Sequence, residues 1–199
     1  PTSFGDSPYQ SFSAFAGNPY FIDLDTLIRE GLLKQQEVDC ENWGEDPSDV
    51  DYAILFQNRF KVLKKAYKRS SHKEESGYRT FCRQNRYWLA DYCLYMALKF
   101  ENDNKEWQLW EEDIRFRRKD AVKHWQTKLA DEISFWKFCQ YHFYQQWNDV
   151  KTYANKKGIY IIGDIPIYLA LDSSDVWTHP ELFLLDDEKQ PKAVAGVPP

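Results

Sequence analysis

The sequence predicts an α/β protein that is mostly helical, and three features of its second half carry that prediction. Apolar residues recur every three or four positions from Val122 to Ala154, which is the spacing of one buried helix face. Gly158 then supplies a residue that ends helices, and Ile159–Ile162 is a continuous apolar run typical of a strand buried on both faces. A helix, a glycine and such a strand make the second half of a β/α unit.

Length and composition exclude several classes of protein. The 199 residues suffice for one domain with a real core, and 43% hydrophobic residues exclude a disordered acidic chain. A net charge of −5 argues against a general nucleic-acid binder. The longest apolar run, Ile165–Leu171, is far shorter than the roughly 20 residues of a bilayer span, so we expect no membrane segment. The four cysteines lack C-x-x-C spacing and no signal segment leads the chain, so we expect a reduced, cytoplasmic protein.

The first 20 residues are dense in glycine, proline and aromatic residues, which predicts turns rather than a helix or a strand. Loops normally run over the surface and expose what they carry. This loop is therefore expected either to be pinned onto a core or to present its rings to a ligand. The rings open to the second interpretation are chiefly those of Phe4, Tyr9 and Tyr20.

Four helical segments are predicted from apolar spacing and capping residues. A short helix begins with Asp25 as its N-cap and stops before Gly31. A second helix begins near Ser48, which resembles the first residue of a capping box, and a third begins near Tyr78. The fourth helix is predicted from the apolar stripe between Val122 and Ala154. This helix is long for a small domain, so the prediction allows a break or a kink within it.

Asp164 follows the predicted strand and is the leading candidate for a functional carboxylate. In β/α barrels the active site lies at the carboxyl ends of the strands. The equally weighted alternative is that Asp164 caps the next turn or pairs with an arginine. Asp172 and Asp175 lie where a loop enters a helix, with serine or aspartate as the cap, and a capping role is favoured for both carboxylates.

No other pattern indicates a cofactor, a metal or nucleic acid. The four histidines lack metal-ligand spacing, and no glycine-rich phosphate loop occurs. Seven lysines and arginines lie between Arg59 and Lys73 and could contact nucleic acid. A solvated helix face is the favoured interpretation of this basic run, because the whole chain is acidic.

Two blocks of sequence resemble one known family. Residues 5–10 (GDSPYQ) and 13–20 (SAFAGNPY) are similar to the amino-terminal signature of the 4-α-glucanotransferases, which are the amylomaltases or disproportionating enzymes of glycoside hydrolase family 77. A second block resembles the same family in the same order: Gly163–Tyr168, Asp172–Trp177, Pro180–Glu181 and Val194–Pro199. The resemblance covers essentially the whole chain, yet well under half of a typical family member.

The resemblance implies a partial (β/α)8 TIM barrel that carries a large, mainly helical insertion. Residues 1–24 would form a barrel loop and strand end with a substrate-binding motif, and residues 25–157 the insertion. Residues 158–199 would form a barrel strand and the loop and helix start after it. The chain begins without methionine and ends without a terminal element, so we expect a piece of a larger protein. The rest of the barrel would then be its missing intramolecular partner.

The resemblance also implies an activity, the transfer of α-1,4-glucan segments between maltodextrins by a retaining double displacement. Such a reaction needs a carboxylate nucleophile and a carboxyl acid/base. In this family these groups lie in later strands, so we expect them beyond Pro199 and expect residues 1–199 alone to be inactive. Two alternatives remain: a non-catalytic α-glucan-binding or scaffold module, and nucleic-acid binding through the basic run.

Five residues of this chain match family positions that touch or frame the glucan. Tyr9 matches a tyrosine that packs on the sugar at the cleavage point, and Asp164 an aspartate that orders the catalytic end of the barrel. Ser7 matches a neighbour of the same sugar. Phe4 and Phe56 match places where aromatic residues line an outer glucan groove. The resemblance thus implies α-1,4-glucans as partners, with no metal or cofactor.

Overall fold

The computed structural model of the protein describes residues 10–46, 48–164 and 168–193, and their regular structure is helical. Nine α-helices lie in these ranges: α1 (Leu24–Arg29), α2 (Gln35–Asp39), α3 (Tyr52–Arg69), α4 (Ser76–Gln84), α5 (Leu89–Glu101), α6 (Glu112–Arg115), α7 (Lys119–Lys128), α8 (Ala130–Lys156) and α9 (Ser174–Thr178). Short 3-10 helices lie at Pro19–Phe21, His72–Glu74, Trp107–Leu109 and Pro180–Leu182. An isolated antiparallel bridge joins Leu185 to Pro191.

The predicted strand at Ile159–Ile162 is not observed. Its side chains are exposed, from 43% for Ile161 to 95% for Ile162. A strand needs a hydrogen-bonded neighbour, and the described residues provide none beside this run. Neither the doubly buried strand nor the partial barrel is therefore observed in the described part of the chain.

Two helices begin at a different residue from the one predicted. The N-cap of α1 is Asp23 rather than Asp25, and its Oδ2 accepts a hydrogen bond of 3.0 Å from a backbone N–H three residues on. The N-cap of α3 is Asp51 rather than Ser48, and its Oδ1 accepts the equivalent bond at 3.0 Å. In both cases several capping residue types lie close together, and local sequence does not choose between them.

The predicted helix ends and the break in the long stripe are confirmed. Gly31 and Gly158 both have a φ of +75°, the left-handed conformation that glycine adopts without strain. The stripe from Val122 divides into α7 and α8 at Leu129, whose φ of −102° and ψ of 22° leave the helical region. The helix expected from Tyr78 likewise consists of two helices, α4 and α5.

The buried face of α8 is shorter than predicted. Trp136 and Cys139 are 1% and 0% exposed, whereas Trp147 and Val150 near the other end expose 39% and 55%. The apolar stripe thus continues past the part of the helix that is covered. Neither α8 nor any other described helix is long and apolar enough to cross a membrane.

The chain divides into two compact units. The first unit contains residues 1–16, 88–134 and 165–199. Its described core is aromatic: the rings of Tyr95, Trp110 and Trp177 lie 5.5–5.9 Å apart. The Trp177 indole N–H donates a 3.1 Å hydrogen bond to the Ile114 carbonyl. Burying an indole is favourable when its N–H finds such a partner.

The second unit contains residues 17–87 and 135–164, and its core includes two histidines. The ring of Phe138 lies 5.2 Å from that of His72 and 4.3 Å from that of His142. Both histidines are nearly inaccessible, and the Nε2 atom of each is buried without a hydrogen-bond partner in the described part of the chain. A charge on either ring would therefore be poorly solvated.

Gly17 is held against α8 by a side-chain amide. Gln140 is fully buried, and its Oε1 accepts from the Gly17 N–H at 2.8 Å while its Nε2 donates to the Gly17 carbonyl at 2.9 Å. The same approach brings the Gly17 backbone against the Phe143 ring, where a Cβ atom would overlap the ring carbons. Position 17 therefore has no space for a side chain, and glycine is the residue that fits.

Replacing Gly17 with alanine is expected to lower the free energy of unfolding by about 1–3 kcal/mol, because the aromatic ring must move to admit the methyl group. Urea unfolding followed by tryptophan fluorescence measures the change. Gly163→Ala is the matched control, since a Cβ atom at Gly163 meets nothing within 4 Å. Equal stability of the two variants would contradict the packing argument.

Candidate functional site

The structure describes two of the five predicted site residues. Phe4, Ser7 and Tyr9 lie outside the described residues. Asp164 is exposed and follows the apolar run Ile159–Ile162. Phe56 lies on α3 with 36% of its surface exposed. Asp164 and Phe56 are thus both at the surface, while the roles of all five residues stay predictions.

Within the first unit, the two motif blocks are hydrogen-bonded to each other. Asp175 accepts a 3.0 Å bond from the Ser13 hydroxyl and a 2.7 Å bond from the Ala14 N–H. The Phe12 carbonyl accepts bonds from the Ser174 N–H at 2.8 Å and from its hydroxyl at 3.0 Å. We call these contacts of residues 12–14 with residues 174–175 the Asp175 junction. It joins parts of the chain 162 positions apart.

The capping role predicted for Asp172 and Asp175 is wrong, and a serine caps the helix instead. The Ser173 hydroxyl accepts a 3.3 Å bond from the Val176 N–H and is the N-cap of α9. Serine was the other residue type expected at the start of this helix. The two aspartates are consequently available for partners that are distant in sequence.

Asp172 is paired with a buried lysine. Its Oδ2 lies 2.6 Å from Nζ of Lys99, and its Oδ1 accepts from the Tyr95 hydroxyl at 2.5 Å and from the Trp107 N–H at 3.3 Å. Only 3% of the Lys99 side chain is exposed, and Nζ also donates to the carbonyls of residues 104 and 105 at 2.8 and 3.1 Å. Burial, and then the Asp172 charge, raise the pKa of Tyr95 well above its usual value. The phenol therefore stays a donor.

Four aromatic rings of the second unit form a series of contacts that ends at Phe56. The Phe56 ring meets Phe60 edge to face at 5.3 Å, and Tyr20 lies 6.0 Å from Phe60 and 6.5 Å from Tyr52. Tyr52 is 42% exposed. We call Tyr20, Tyr52, Phe56 and Phe60 the aromatic patch. The exposed rings of Tyr52 and Phe56 suit the apolar C–H faces of sugars.

The basic run is partly neutralised by the chain itself. Lys61 and Lys65 bind Glu41 at 2.7 and 3.1 Å, and Arg69 binds Glu37 at 2.9 Å. The hydrogen bond from Arg69 lowers the pKa of Glu37 to about 2. These pairings support the solvated-face interpretation, since cations engaged with carboxylates are less available to phosphates.

No group of three or more histidine, cysteine, aspartate or glutamate side chains could hold a metal ion within the described ranges. The four cysteines are free thiols, and Cys93 and Cys139 are buried. Among the described residues, the functional features are therefore hydrogen-bonded carboxylates and exposed rings.

Comparison with known proteins identifies the family. All of residues 1–199 match the family model for glycoside hydrolase family 77, described as 4-alpha-glucanotransferase. The chain belongs to this family. A 4-alpha-glucanotransferase from Clostridium butyricum is 47% identical over 199 residues, which are 100% of this chain and 41% of that relative. One from Thermus thermophilus is 43% identical over 203 residues, covering 100% of this chain and 40% of the relative.

A solved structure agrees with this 4-alpha-glucanotransferase assignment. The amylomaltase from Streptococcus agalactiae in complex with acarbose superposes with a TM-score of 0.94 at 46% identity. The alignment covers 100% of this chain and 40% of that one. The chain thus spans about two fifths of the length of the family members it matches.

Proposed function

We propose that the whole protein is a 4-α-glucanotransferase that moves α-1,4-glucan segments between maltodextrins. The observation that carries this proposal is the family match over all 199 residues. The relative bound to acarbose supports a site for maltooligosaccharides, which acarbose mimics. The Asp175 junction adds a physical argument, because it holds together the two blocks on which the resemblance rests.

The proposed chemistry is a retaining double displacement. A carboxylate attacks the anomeric carbon while a carboxylic acid protonates the leaving glycosidic oxygen, which leaves a covalent glycosyl-enzyme. The same acid/base group then takes a proton from the hydroxyl of an acceptor sugar as that oxygen displaces the carboxylate. We assign the nucleophile and the acid/base to positions beyond Pro199. Residues 1–199 alone would then bind sugar without catalysing transfer.

In this scheme the chain supplies part of the sugar-binding surface. We assign Tyr9 to packing against the sugar at the cleavage point and Ser7 to the rim of that sugar. An aromatic ring suits this role because it combines a large apolar face with a polar tip. We assign Asp164 to ordering the catalytic end of the barrel, and its exposed position after Ile159–Ile162 is compatible with that role.

We assign Phe4 and Phe56 to an outer groove for longer glucans. The support comes from Phe56, which is exposed and backed edge to face by Phe60. Tyr20, which lies 6.0 Å from Phe60 and 6.5 Å from Tyr52, and Tyr52 would add hydroxyl donors to this groove. Both assigned residues are phenylalanines, so they would contribute stacking without hydrogen bonds.

We further propose that the whole protein is a (β/α)8 barrel in the cytoplasm. Residues 1–24 and 158–199 would belong to the barrel, and residues 25–157 would form the helical insertion. The exposed apolar run Ile159–Ile162 supports this division, since a barrel strand needs neighbours on both sides. The uncovered end of α8, with Trp147 and Val150, is equally suited to packing against a sheet.

The decisive experiment is incubation of the whole protein with maltotriose and chromatography of the products. Two maltotrioses should yield glucose and maltopentaose, because a maltosyl unit moves from one trisaccharide to the other. Residues 1–199 alone should yield no products. Maltodextrin binding without any transfer would instead identify a non-catalytic binding module, and binding that falls steeply with salt for nucleic acid would support the basic run.

A further inference from the structure

We propose that two glutamines of α8, Gln140 and Gln146, are positioning residues of the outer groove for longer glucans. They hold the segment of residues 17–23 at both ends and thereby fix the Tyr20 ring in the aromatic patch. The proposal rests on the proposed function, because Tyr20 meets glucan only if the aromatic patch belongs to such a groove. The two glutamines make no contact with the sugar in this scheme and act through the segment that they hold.

Each glutamine binds the backbone of one residue through both polar atoms of its side-chain amide. Gln140 accepts from the Gly17 N–H at 2.8 Å and donates to the Gly17 carbonyl at 2.9 Å. Gln146 accepts from the Asp23 N–H at 2.7 Å and donates to the Asp23 carbonyl at 3.2 Å. Two directional bonds to one residue restrain its orientation as well as its position. Tyr20 lies midway between these two restrained residues.

The segment between the two ends forms a tight turn with its own restraints. The Asn18 Oδ1 accepts a 3.0 Å bond from the Tyr20 N–H and caps the 3-10 helix Pro19–Phe21. Ile22 is fully buried, and its carbonyl accepts a hydrogen bond from the Arg59 guanidinium of α3. The backbone around Tyr20 is therefore held from α3 as well as from α8.

The helix that holds this turn from its other side also carries the remaining rings of the aromatic patch. Tyr52, Phe56 and Phe60 all lie on α3, as does Arg59. The partly exposed Tyr20 ring lies 6.0 Å from the Phe60 ring and 6.5 Å from the Tyr52 ring. A ring that is in place before the ligand arrives loses less conformational entropy on binding. The restraints on the turn thus favour binding of a glucan chain across the patch.

The two glutamines differ in burial, and this decides which of them gives the cleaner test. Gln140 is fully buried, so removing its amide would leave the polar groups of Gly17 without partners in the interior. Both hydrogen bonds of Gln146 are exposed to solvent, so water can take the place of its amide. Gln146→Ala is therefore expected to fold and to loosen one end of the turn.

The first test compares a long and a short substrate of the whole protein. Gln146→Ala should raise the KM for soluble amylose about fivefold relative to the KM for maltotriose, because binding the long chain must then order the Tyr20 ring. A merely structural role predicts less active protein, which lowers the apparent kcat for both substrates equally and leaves the ratio of the two KM values unchanged.

Gln145→Ala is the matched control, because Gln145 is the neighbouring glutamine of the same helix. Its amide donates a 2.8 Å bond to the Tyr141 hydroxyl, which also belongs to α8. This variant should keep the ratio of the two KM values within about twofold of the unsubstituted protein. The same change of ratio in Gln145→Ala and Gln146→Ala would contradict a specific role for the Asp23 contact.

The second test is a double-mutant cycle with Tyr20→Ala on the KM for amylose. Tyr20→Ala should raise this KM at least as much as Gln146→Ala does. If Gln146 acts through Tyr20, the variant with both substitutions should have a KM no higher than that of Tyr20→Ala alone. Multiplied increases, an unchanged ratio of KM values in Gln146→Ala, or an unchanged KM in Tyr20→Ala would overturn the proposal.

These measurements separate the proposal from the function on which it rests. A whole protein that binds amylose in affinity gel electrophoresis but forms no products from maltotriose would overturn the transferase assignment. The same variants compared by their amylose affinity would then still decide the role of the two glutamines. A whole protein that neither forms products nor binds amylose would overturn both.

Discussion

Replacing Asp172 with alanine is expected to destabilise the first unit by about 3–5 kcal/mol, because it leaves the buried charge of Lys99 without its partner. The Lys99 ammonium would stay buried without its counter-charge, since only 3% of that side chain is exposed. The Tyr95 hydroxyl and the Trp107 N–H would lose the same acceptor. Urea unfolding followed by tryptophan fluorescence measures the loss.

A surface ion pair at the end of α5, the helix that carries Lys99, is the matched control. Glu101 binds Lys128 at 2.7 Å, but their side chains are 38% and 47% exposed, so Glu101→Ala should cost less than about 1 kcal/mol. Adding Lys99→Met to Asp172→Ala should restore part of the stability, because the unpaired charge is then gone. Comparable losses for Asp172→Ala and Glu101→Ala would show that the Lys99 pair is no stronger than one at the surface.

The second unit is expected to lose stability as the pH falls from about 6.5 to about 4. Burial and, to a lesser extent, the charge of His72 lower the pKa of His142 to about 4. Burial and, to a lesser extent, the positive charge of Lys73 also lower the pKa of His72. In the unfolded chain a histidine titrates near 6.5. Between these values the unfolded state binds a proton that folded His142 does not, so acid favours unfolding. His142 alone should account for a loss on the order of 3 kcal/mol.

A neighbouring carboxyl group opposes this trend over part of the same range. Burial and the charge of Glu75 raise the pKa of Glu30, whose carboxylate lies 3.7 Å from His142. A folded state that binds a proton more readily than the unfolded chain gains stability as the pH falls. Glu30 therefore offsets part of the loss near and above pH 4.5.

His142→Phe isolates the histidine contribution, because a phenyl ring can keep the contact with Phe138. The variant should lose most of the pH dependence of stability between about 4 and 6.5, as measured by urea unfolding at several pH values. His124→Phe is the control, since His124 is exposed on α7. An unchanged slope in His142→Phe would mean that other groups cause the acid sensitivity.

Helices and their glycine ends were predictable because their causes are local. The apolar spacing of α3 and of α8 and the glycines after α1 and α8 depend on residues within a few positions of each other, whereas the first residues of α1, α3 and α9 were each assigned to a wrong cap. Ile159–Ile162 shows the limit of this reasoning. Its composition favours a strand, but a strand forms only where another strand pairs with it, and the described residues do not supply one.

The pairings that frame the candidate site were not predictable in this way. Asp172 meets Lys99 across 73 positions, and no local pattern identifies that partner. One usable signal was overlooked, because Lys99 interrupts the apolar stretch Leu94–Phe100 and a lysine there requires a counter-charge. Apolar spacing also does not show how far a helix face is covered, since Tyr52 has the spacing of the apolar face of α3 and yet is 42% exposed in its first turn.

The separation of 162 positions across the Asp175 junction has a consequence for synthesis on the ribosome. Ser13 emerges from the ribosome 162 positions before Asp175, its carboxylate partner. Closing so long a loop costs entropy before its contacts can compensate, and such contacts tend to form late in folding. The nascent segment around Ser13 would therefore lack its anchor, and be accessible to chaperones and proteases, until α9 has left the exit tunnel.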